Sequence, residues 1–240
     1  MAGQTLKITA HDGTVFDCYL ALPNGTAKAP CIVMSAGAFG VNKDLMEVCD
    51  WWASKGFMAA APEQWSRGDK GPIPMSDDGR KRAMARIQTP GIFDSVKNDL
   101  DATLKVMRKH ERCNGKTAIM GYCFGGPFAV VGVMELGCDA GGSYHGGGFD
   151  KQLDNLKKNT KPVQIHWGDK DFALNPELLE KTKAACAHNK DAEIFIYPGI
   201  EHGYTQPESP IYSKEATELS WERTLKMLEP LKNPPPAKAA

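Results

Sequence analysis

The chain has 240 residues, of which 42% are hydrophobic and 24% are charged, as in an ordinary globular protein. Lysine plus arginine and aspartate plus glutamate balance at 29 each, so the chain lacks the basic excess that attracts nucleic acids and anionic membrane surfaces. We therefore expect neither nucleic acid nor a membrane as a partner, and any charged substrate must be bound by a local group of side chains.

The cysteines and the first residues indicate a reducing compartment. The seven cysteines are widely spaced and include no C-x-x-C pair, so neither a zinc ribbon nor thioredoxin-type chemistry is indicated. They are Cys18, Cys31, Cys49, Cys113, Cys123, Cys138 and Cys186. The N-terminal residues lack an apolar core of signal-peptide length, and no apolar run approaches the roughly 20 residues of a membrane span. We expect a cytoplasmic protein without a bound metal.

The first part of the chain predicts a hairpin and then buried strands. Residues 5–10 (TLKITA) and 15–22 (VFDCYLAL) alternate apolar and polar side chains around a turn, as in an antiparallel hairpin. The continuous apolar runs APCIVMSAG and FMAAAPE are typical of strands covered on both faces. Between them, KDLMEVCDWWASKG has helical spacing and ends at Gly56, a suitable C-cap residue.

The remainder alternates strands with helices after one long loop. Residues 64–90 predict a loop that contains a short helix, and loops of this length are usually functional or mobile. Further strands are predicted at KTAIMGY, DAGGSYHGGG, PVQIHWGD and AEIFIYPG, and helices at DSVKNDLDATLKVMRKH, GGPFAVVGVMELG and residues 151–159, 176–188 and 213–228. This alternation indicates an α/β fold with parallel strand pairing. We expect one domain over residues 1–228 and a Pro-rich, disordered tail over 229–240.

Cys123 lies where a predicted strand gives way to a predicted helix. Residues 121–125 read Gly-Tyr-Cys-Phe-Gly, a cysteine version of the G-x-S-x-G nucleophile elbow. Glycines two positions on either side of a nucleophile allow strand and helix to approach, and a helix N-terminus favours a thiolate. The competing interpretation is a buried cysteine in a Gly-rich turn.

An elbow predicts an acid and then a histidine further along the chain. His202 lies in a polar loop directly after a predicted strand, which makes it the preferred base, and His145 also follows a strand. His166 lies within an apolar run and His188 ends a helix, so neither is favoured. For the acid, Asp171 is favoured over Asp169 in the loop GDKDFALNP, although either one is also suited to a solvated turn or helix cap.

An oxyanion hole for acyl transfer needs two backbone donors. One is expected from the N–H of Phe124, which follows the nucleophile, and the other from Ala38 in the loop SAGAFGVN. Small residues in that loop admit a carbonyl oxygen, and Phe39 is positioned to wall the pocket. An ordinary strand-to-helix turn is the alternative interpretation of this loop.

At these residues the chain resembles the dienelactone hydrolase family, a branch of the α/β-hydrolases. The likeness is carried by AFGVNKDLMEVCDWWASKGFMAAAPE, GYCFGG, GDKDFALNP, IYPGIEHGY and SWERTLKML, from about residue 30 to residue 228. It implies a mostly parallel eight-stranded sheet flanked by helices, no cofactor, and a triad on Cys123, His202 and Asp171. The substrate pocket is expected to include Phe39, Tyr122, Tyr144, His145, Arg80, Lys81, Tyr204 and Gln206.

The chain departs from the family pattern at the pocket. Members that cleave dienelactone place a glutamate just before the loop that here contains Ala38, and this chain has Ala36 and Gly37 there. They also hold the substrate carboxylate with arginines, one shortly after the catalytic histidine, where this chain has Gln206. Arg80, Lys81, Arg82 and Arg86 are available to supply a cation, but a solvated helix face is the simpler interpretation of these residues.

The sequence therefore predicts a cysteine hydrolase of ester or lactone bonds that acts through a thioester, as a monomer or weak homodimer. Two alternatives stay open at this point. One is a broader carboxylesterase or thioesterase, and the other is a non-hydrolytic binding protein or redox-sensitive thiol on the same fold.

Overall fold

The sheet of the computed structural model, which describes residues 3–233, has eight strands in the order β1-β2-β4-β3-β5-β6-β7-β8. The strands are β1 (Gln4–Thr9), β2 (Val15–Ala21), β3 (Ala29–Ser35), β4 (Met58–Pro62), β5 (Cys113–Tyr122), β6 (Ala140–Tyr144), β7 (Val163–Gly168) and β8 (Ala192–Tyr197). β1 pairs with β2 and β2 with β4 in antiparallel fashion, and every other pair is parallel. The predicted hairpin and the predicted α/β-hydrolase fold are confirmed.

Helices cover both faces of the sheet. They are α1 (Lys43–Ser54), α2 (Asp77–Ile87), α3 (Ile92–Lys109), α4 (Phe128–Met134), α5 (Leu153–Leu156), α6 (Pro176–Cys186) and α7 (Lys214–Leu228). Trp52 of α1 and Leu228 of α7 pack on one face, whereas Leu104 of α3 and Val130 of α4 pack on the other. Strands between two such layers have no solvent-exposed face, which explains the continuous apolar runs of β3, β4, β6 and β7.

Several predicted boundaries differ from the structure. A 3-10 turn, Cys123–Gly125, precedes α4, which therefore begins later than predicted. The predicted helix at 151–159 is a 3-10 turn, Phe149–Gln152, followed by the single helical turn of α5. At the C-terminus, Glu229–Leu231 forms a third 3-10 turn, and the carbonyl of Leu231 accepts a hydrogen bond from Asn114 Nδ2 at 2.9 Å. Residues 234–240 of the predicted tail lie outside the described residues.

The long loop after β4 folds back over the carboxyl edge of the sheet. Its second half forms α2, whose N-cap Ser76 accepts a hydrogen bond from the N–H of Gly79 at 3.0 Å. Ile73 and Ala83 form a small apolar cluster with Ala38. The loop is therefore packed against the segment in which an oxyanion donor is expected.

Candidate active site

The turn that carries Cys123 is a strained strand-to-helix connection. β5 ends at Tyr122, and Cys123 has a φ of 55°, in the left-handed region that residues with a Cβ rarely adopt. A Cβ on Gly121 would collide with the backbone of Gly125, and a Cβ on Gly125 would collide with the carbonyl of Ser35. The G-x-C-x-G spacing is therefore required by close backbone approach at the carboxyl edge of the sheet.

The loop after β3 lies directly beside the thiol. A Cβ on Gly37 would be 3.2 Å from Cys123 Cβ, so only glycine lets the loop approach this closely without a shift. The backbone N–H groups of Phe124 and Ala38 both interact with the Cys123 thiol and favour its ionised form. The two donors come from two chain segments beside the sulfur, as the predicted oxyanion hole requires.

His202 and Asp171 form a hydrogen-bonded pair next to this turn. His202 Nδ1 lies 2.8 Å from Asp171 Oδ1, which also accepts the N–H of Ala173 at 2.8 Å. Asp171 is 2% exposed, so its contact with the imidazole is shielded from water. Asp169 instead accepts the N–H of Gly199 at 2.7 Å in an exposed turn and does not orient a histidine.

The electrostatics of Cys123 and His202 favour an ion pair. Burial opposes ionisation of the thiol, but His202 and the N–H groups of Phe124 and Ala38 outweigh it and hold the pKa of Cys123 below its ordinary value. Burial also opposes the imidazolium, yet Asp171 and the thiolate raise the pKa of His202 from 6.5 to about 10. By contrast, burial alone raises the pKa of Cys186 to about 11. At pH values between the pKa of Cys123 and the pKa of His202, the thiolate and the imidazolium are present together.

His145 and Tyr204 pack behind His202 and do not line an open pocket. Both are fully buried. The rings of His145 and His202 meet edge to face with centroids 4.9 Å apart, and His145 Nε2 lies 2.9 Å from Thr205 Oγ1. Burial holds the pKa of His145 well below its ordinary value, so its ring is neutral. His145 therefore packs against the His202 ring, and Tyr204 packs against His145.

Tyr144 was expected in the substrate pocket but lies in the core. Its ring stacks between Tyr122 and His166, with centroids 4.8 and 5.0 Å away, and its hydroxyl donates to Thr224 Oγ1 at 2.8 Å. Tyr144 is the last residue of β6 and is fully buried beneath α7. It is part of the core and not of the substrate pocket.

A narrow cleft runs from Gly37 toward the loop after His202. Besides glycines and aliphatic residues, its lining includes Phe39, Asn42, Asp44, Tyr122, Thr205 and Gln206. No lysine or arginine lines it among the described residues. Arg80 and Lys81 lie on the exposed face of α2, where Lys81 Nζ is 3.6 Å from Asp78 Oδ1. The expected contribution of these two cations to the pocket is not observed, because their helix presents them to solvent.

Four residues near the site were not identified from the sequence. Gln64 and Trp65 follow β4 and form hydrogen bonds with the loop after β3. Their position directly after a buried strand is the sequence feature that could have indicated this role. Arg86, expected on a solvated face, is 5% exposed and donates to the carbonyl of Ala38 at 3.1 Å. Phe172 is 83% exposed, with its ring centroid 4.4 Å from that of His202, and gives the site an apolar rim.

Two features are absent from the described residues, a metal-binding cluster and a membrane-spanning helix. Within residues 3–233, no group of three or more histidine, cysteine, aspartate or glutamate side chains is arranged to hold a metal ion. Over the same span, no helix has both the length and the apolar character needed to cross a membrane.

A known protein family matches most of the chain. The dienelactone hydrolase family matches residues 16–231. The chain belongs to this family. The predicted resemblance is thereby confirmed, and family membership makes the protein a hydrolase that acts on lactone or ester bonds of small molecules.

Relatives of this family member align over nearly their whole length. Carboxymethylenebutenolidase of Pseudomonas sp. (strain P51) is 30% identical over 234 residues, which cover 97% of each chain. Carboxymethylenebutenolidase 1 of Cupriavidus pinatubonensis is 28% identical and covers 98% of this chain and 100% of its own. Among solved structures, the dienelactone hydrolase-like promiscuous phosphotriesterase P91 from metagenomic libraries has a TM-score of 0.78 at 20% identity, covering 97% of this chain and 100% of that one. This last likeness concerns the fold.

Proposed function

We propose that the protein hydrolyses an ester or lactone through a thioester on Cys123, with His202 and Asp171 as its acid–base pair. The observation that carries the proposal is the convergence on one strained residue of two backbone donors and a hydrogen-bonded histidine–aspartate pair. Each group is of the type, and occupies the position, that nucleophilic acyl transfer requires.

The acylation step uses the thiolate–imidazolium pair directly. Cys123 Sγ attacks the substrate carbonyl carbon, and the carbonyl electron pair moves onto oxygen, where the N–H groups of Phe124 and Ala38 stabilise it. When the intermediate collapses, the C–O bond breaks and the leaving alkoxide takes the proton from His202 Nε2. For a lactone, this alkoxide stays attached to the acyl chain.

The deacylation step returns the site to its resting state. Neutral His202 removes a proton from water, and the resulting hydroxide adds to the thioester carbonyl. Collapse of the second tetrahedral intermediate breaks the C–S bond, releases the carboxylic acid and leaves Cys123 as a thiolate beside protonated His202. Asp171 holds the Nδ1–H of His202, so that Nε2 remains the atom that exchanges protons.

The test is hydrolysis of para-nitrophenyl acetate by the wild type, Cys123→Ser and Cys123→Ala. We expect turnover by the wild type and loss of turnover in both variants, with circular dichroism spectra unchanged. Mass spectrometry of acid-quenched wild type should show one acetyl group on the peptide that contains Cys123. Undiminished hydrolysis by Cys123→Ala would overturn the proposal.

The same samples separate this proposal from a redox-sensitive thiol. A redox thiol predicts peroxide-dependent oxidation of Cys123 without turnover of any ester or lactone. A panel of aryl esters, thioesters and unsaturated lactones then distinguishes a narrow lactonase from a broader carboxylesterase or thioesterase. The hydrogen-bonded pair of His202 and buried Asp171 favours hydrolysis, since a redox thiol requires no oriented acid–base pair.

A further inference from the structure

Three successive backbone carbonyls in the loop after β3 are each held by a side chain from the segment that follows β4. Gln64 Nε2 donates to the carbonyl of Ala36 at 2.8 Å, and the N–H of Ala36 donates to Gln64 Oε1 at 3.1 Å. Trp65 Nε1 donates to the carbonyl of Gly37 at 3.2 Å. Arg86 Nη1 donates to the carbonyl of Ala38 at 3.1 Å. The oxyanion loop is therefore fixed from outside the sheet.

The bond from Trp65 acts on the peptide unit that contains the expected oxyanion donor. The carbonyl of Gly37 and the N–H of Ala38 belong to one planar trans peptide, so they point in opposite directions. An indole that holds this carbonyl on one side directs the Ala38 N–H to the other side. Cys123 lies beside this peptide, since a Cβ on Gly37 would be 3.2 Å from Cys123 Cβ, and the Ala38 N–H favours the ionised form of its thiol.

Arg86 holds both Trp65 and the next peptide. Its guanidinium carbon lies 4.9 Å from the centroid of the Trp65 ring, a cation–π contact. Its Nη2 donates to the carbonyls of Asp69 and Gly71, which ties the long loop to α2. The planar guanidinium reaches these three carbonyls from two separate nitrogens, an arrangement that the single ammonium nitrogen of a lysine cannot reproduce.

We propose that Trp65 and Arg86 are positioning residues that orient the Gly37–Ala38 peptide for oxyanion stabilisation. The inference rests on the function proposed above and assigns these residues a part in the transition state, not in binding the substrate. Loss of one oxyanion donor lowers turnover by roughly 100- to 1,000-fold in other hydrolases. If the donor is displaced but still present, the loss of turnover should be smaller. We expect kcat to fall about 10- to 100-fold while KM changes little.

Trp65→Phe is the sharpest variant. It keeps an aromatic ring beside Phe124, whose centroid is 5.3 Å away, and beside Arg86, but it removes the indole donor. Arg86→Lys is the second variant. Trp221→Phe removes an indole whose Nε1 has no hydrogen-bond partner among the described residues. Arg112→Lys alters an arginine that donates to the carbonyls of Pro23 and Ala27, at the end of the sheet opposite to Cys123. These two substitutions are the matched controls.

Two readouts distinguish positioning from a general structural effect. Hydrolysis of para-nitrophenyl acetate passes through an oxyanion, whereas alkylation of Cys123 by iodoacetamide does not. Both rates are measured on the high-pH plateau of alkylation, where the thiol is fully ionised in every variant. We expect kcat to fall about 10- to 100-fold in Trp65→Phe and Arg86→Lys while the alkylation rate changes less than twofold. We expect no change of either rate in the controls.

Other outcomes overturn the inference. An unchanged kcat in folded Trp65→Phe would mean that the indole bond does not orient the donor. A parallel loss of turnover and alkylation would mean that the variants perturb the thiol or the fold. If the wild type itself is alkylated but hydrolyses no ester or lactone, the proposed function fails, and this inference fails with it. Activity measured in the wild type thus separates the two failures.

Discussion

Replacement of His202 by glutamine tests whether the histidine is what makes Cys123 a thiolate. In the structure, burial opposes ionisation of Cys123, and the interaction with His202 is the largest effect that lowers its pKa. Glutamine keeps an amide group near Asp171 but carries no charge. The balance should therefore reverse, and the pKa of Cys123 should rise above its ordinary value of about 8.5.

The magnitude follows from the other groups in the chain. Burial raises the pKa of Cys186 to about 11, and it acts in the same direction on Cys123, where the N–H groups of Phe124 and Ala38 oppose it. The pKa of His202 rises from 6.5 to about 10, and this corresponds to roughly 5 kcal/mol favouring the imidazolium, shared between Asp171 and the thiolate. We expect His202→Gln to raise the pKa of Cys123, because burial is then opposed mainly by the two N–H groups, and to lower its thiolate fraction at neutral pH about 100-fold.

The assay is the rate of iodoacetamide modification of the Cys123 peptide against pH, followed by mass spectrometry. The wild-type rate should rise with pH and level off below the pH expected for a free thiol, because only the thiolate reacts. In His202→Gln the rise should move to higher pH. His188→Gln is the matched control, since His188 Nε2 lies 2.9 Å from the carbonyl of Asn159, away from the thiol. The same pH profile in wild type and His202→Gln would refute the reasoning.

Three further predictions concern the acid, the turn and the cleft. Asp171→Asn should lower kcat by at least about 100-fold, because the amide no longer stabilises the imidazolium, and steady-state hydrolysis of para-nitrophenyl acetate measures it. Gly125→Ala should lower the free energy of unfolding by about 1–3 kcal/mol in urea titrations, because its Cβ would meet the carbonyls of Ser35 and Ala36. Gln206→Arg should raise the ratio of kcat/KM for a succinate monoester to that for an acetate ester several-fold, since the cleft contains Asp44 and, among the described residues, no cation. An unchanged ratio would contradict that electrostatic reasoning.

The parts of the molecule that sequence patterns predicted are those determined by local periodicity and chain order. Buried strands gave continuous apolar runs, and the order nucleophile, acid, histidine directed attention to Asp171 and His202, whose side chains are in hydrogen-bond contact. The choice of Asp171 over Asp169 was made from the residues and strengthened by the family resemblance, because both lie in one loop and differ in the direction of their side chains.

The parts that were missed depend on tertiary contacts that leave no local pattern. Tyr144 and His145 are adjacent after the same apolar run, yet strand geometry directs Tyr144 into the core beneath α7 and His145 toward His202. Arg86 occupies the buried face of α2 with Ala83, where an arginine is rarely found. Its burial is tolerated because it donates to the carbonyls of Ala38, Asp69 and Gly71, which come from two loops far apart in the sequence.

Strand register links the fold to the chemistry. β3 and β5 are parallel neighbours, and their last paired residues are Ser35 and Gly121. Three residues beyond each of these stand Ala38 and Phe124, the two expected oxyanion donors, so the register of the two strands sets where both segments leave the sheet. A slip of one residue between these strands would move one donor about 3.3 Å along the sheet, which exceeds the tolerance of a hydrogen bond. The glycines that allow the turn to approach β3 therefore matter for the position of the two expected donors as well as for packing.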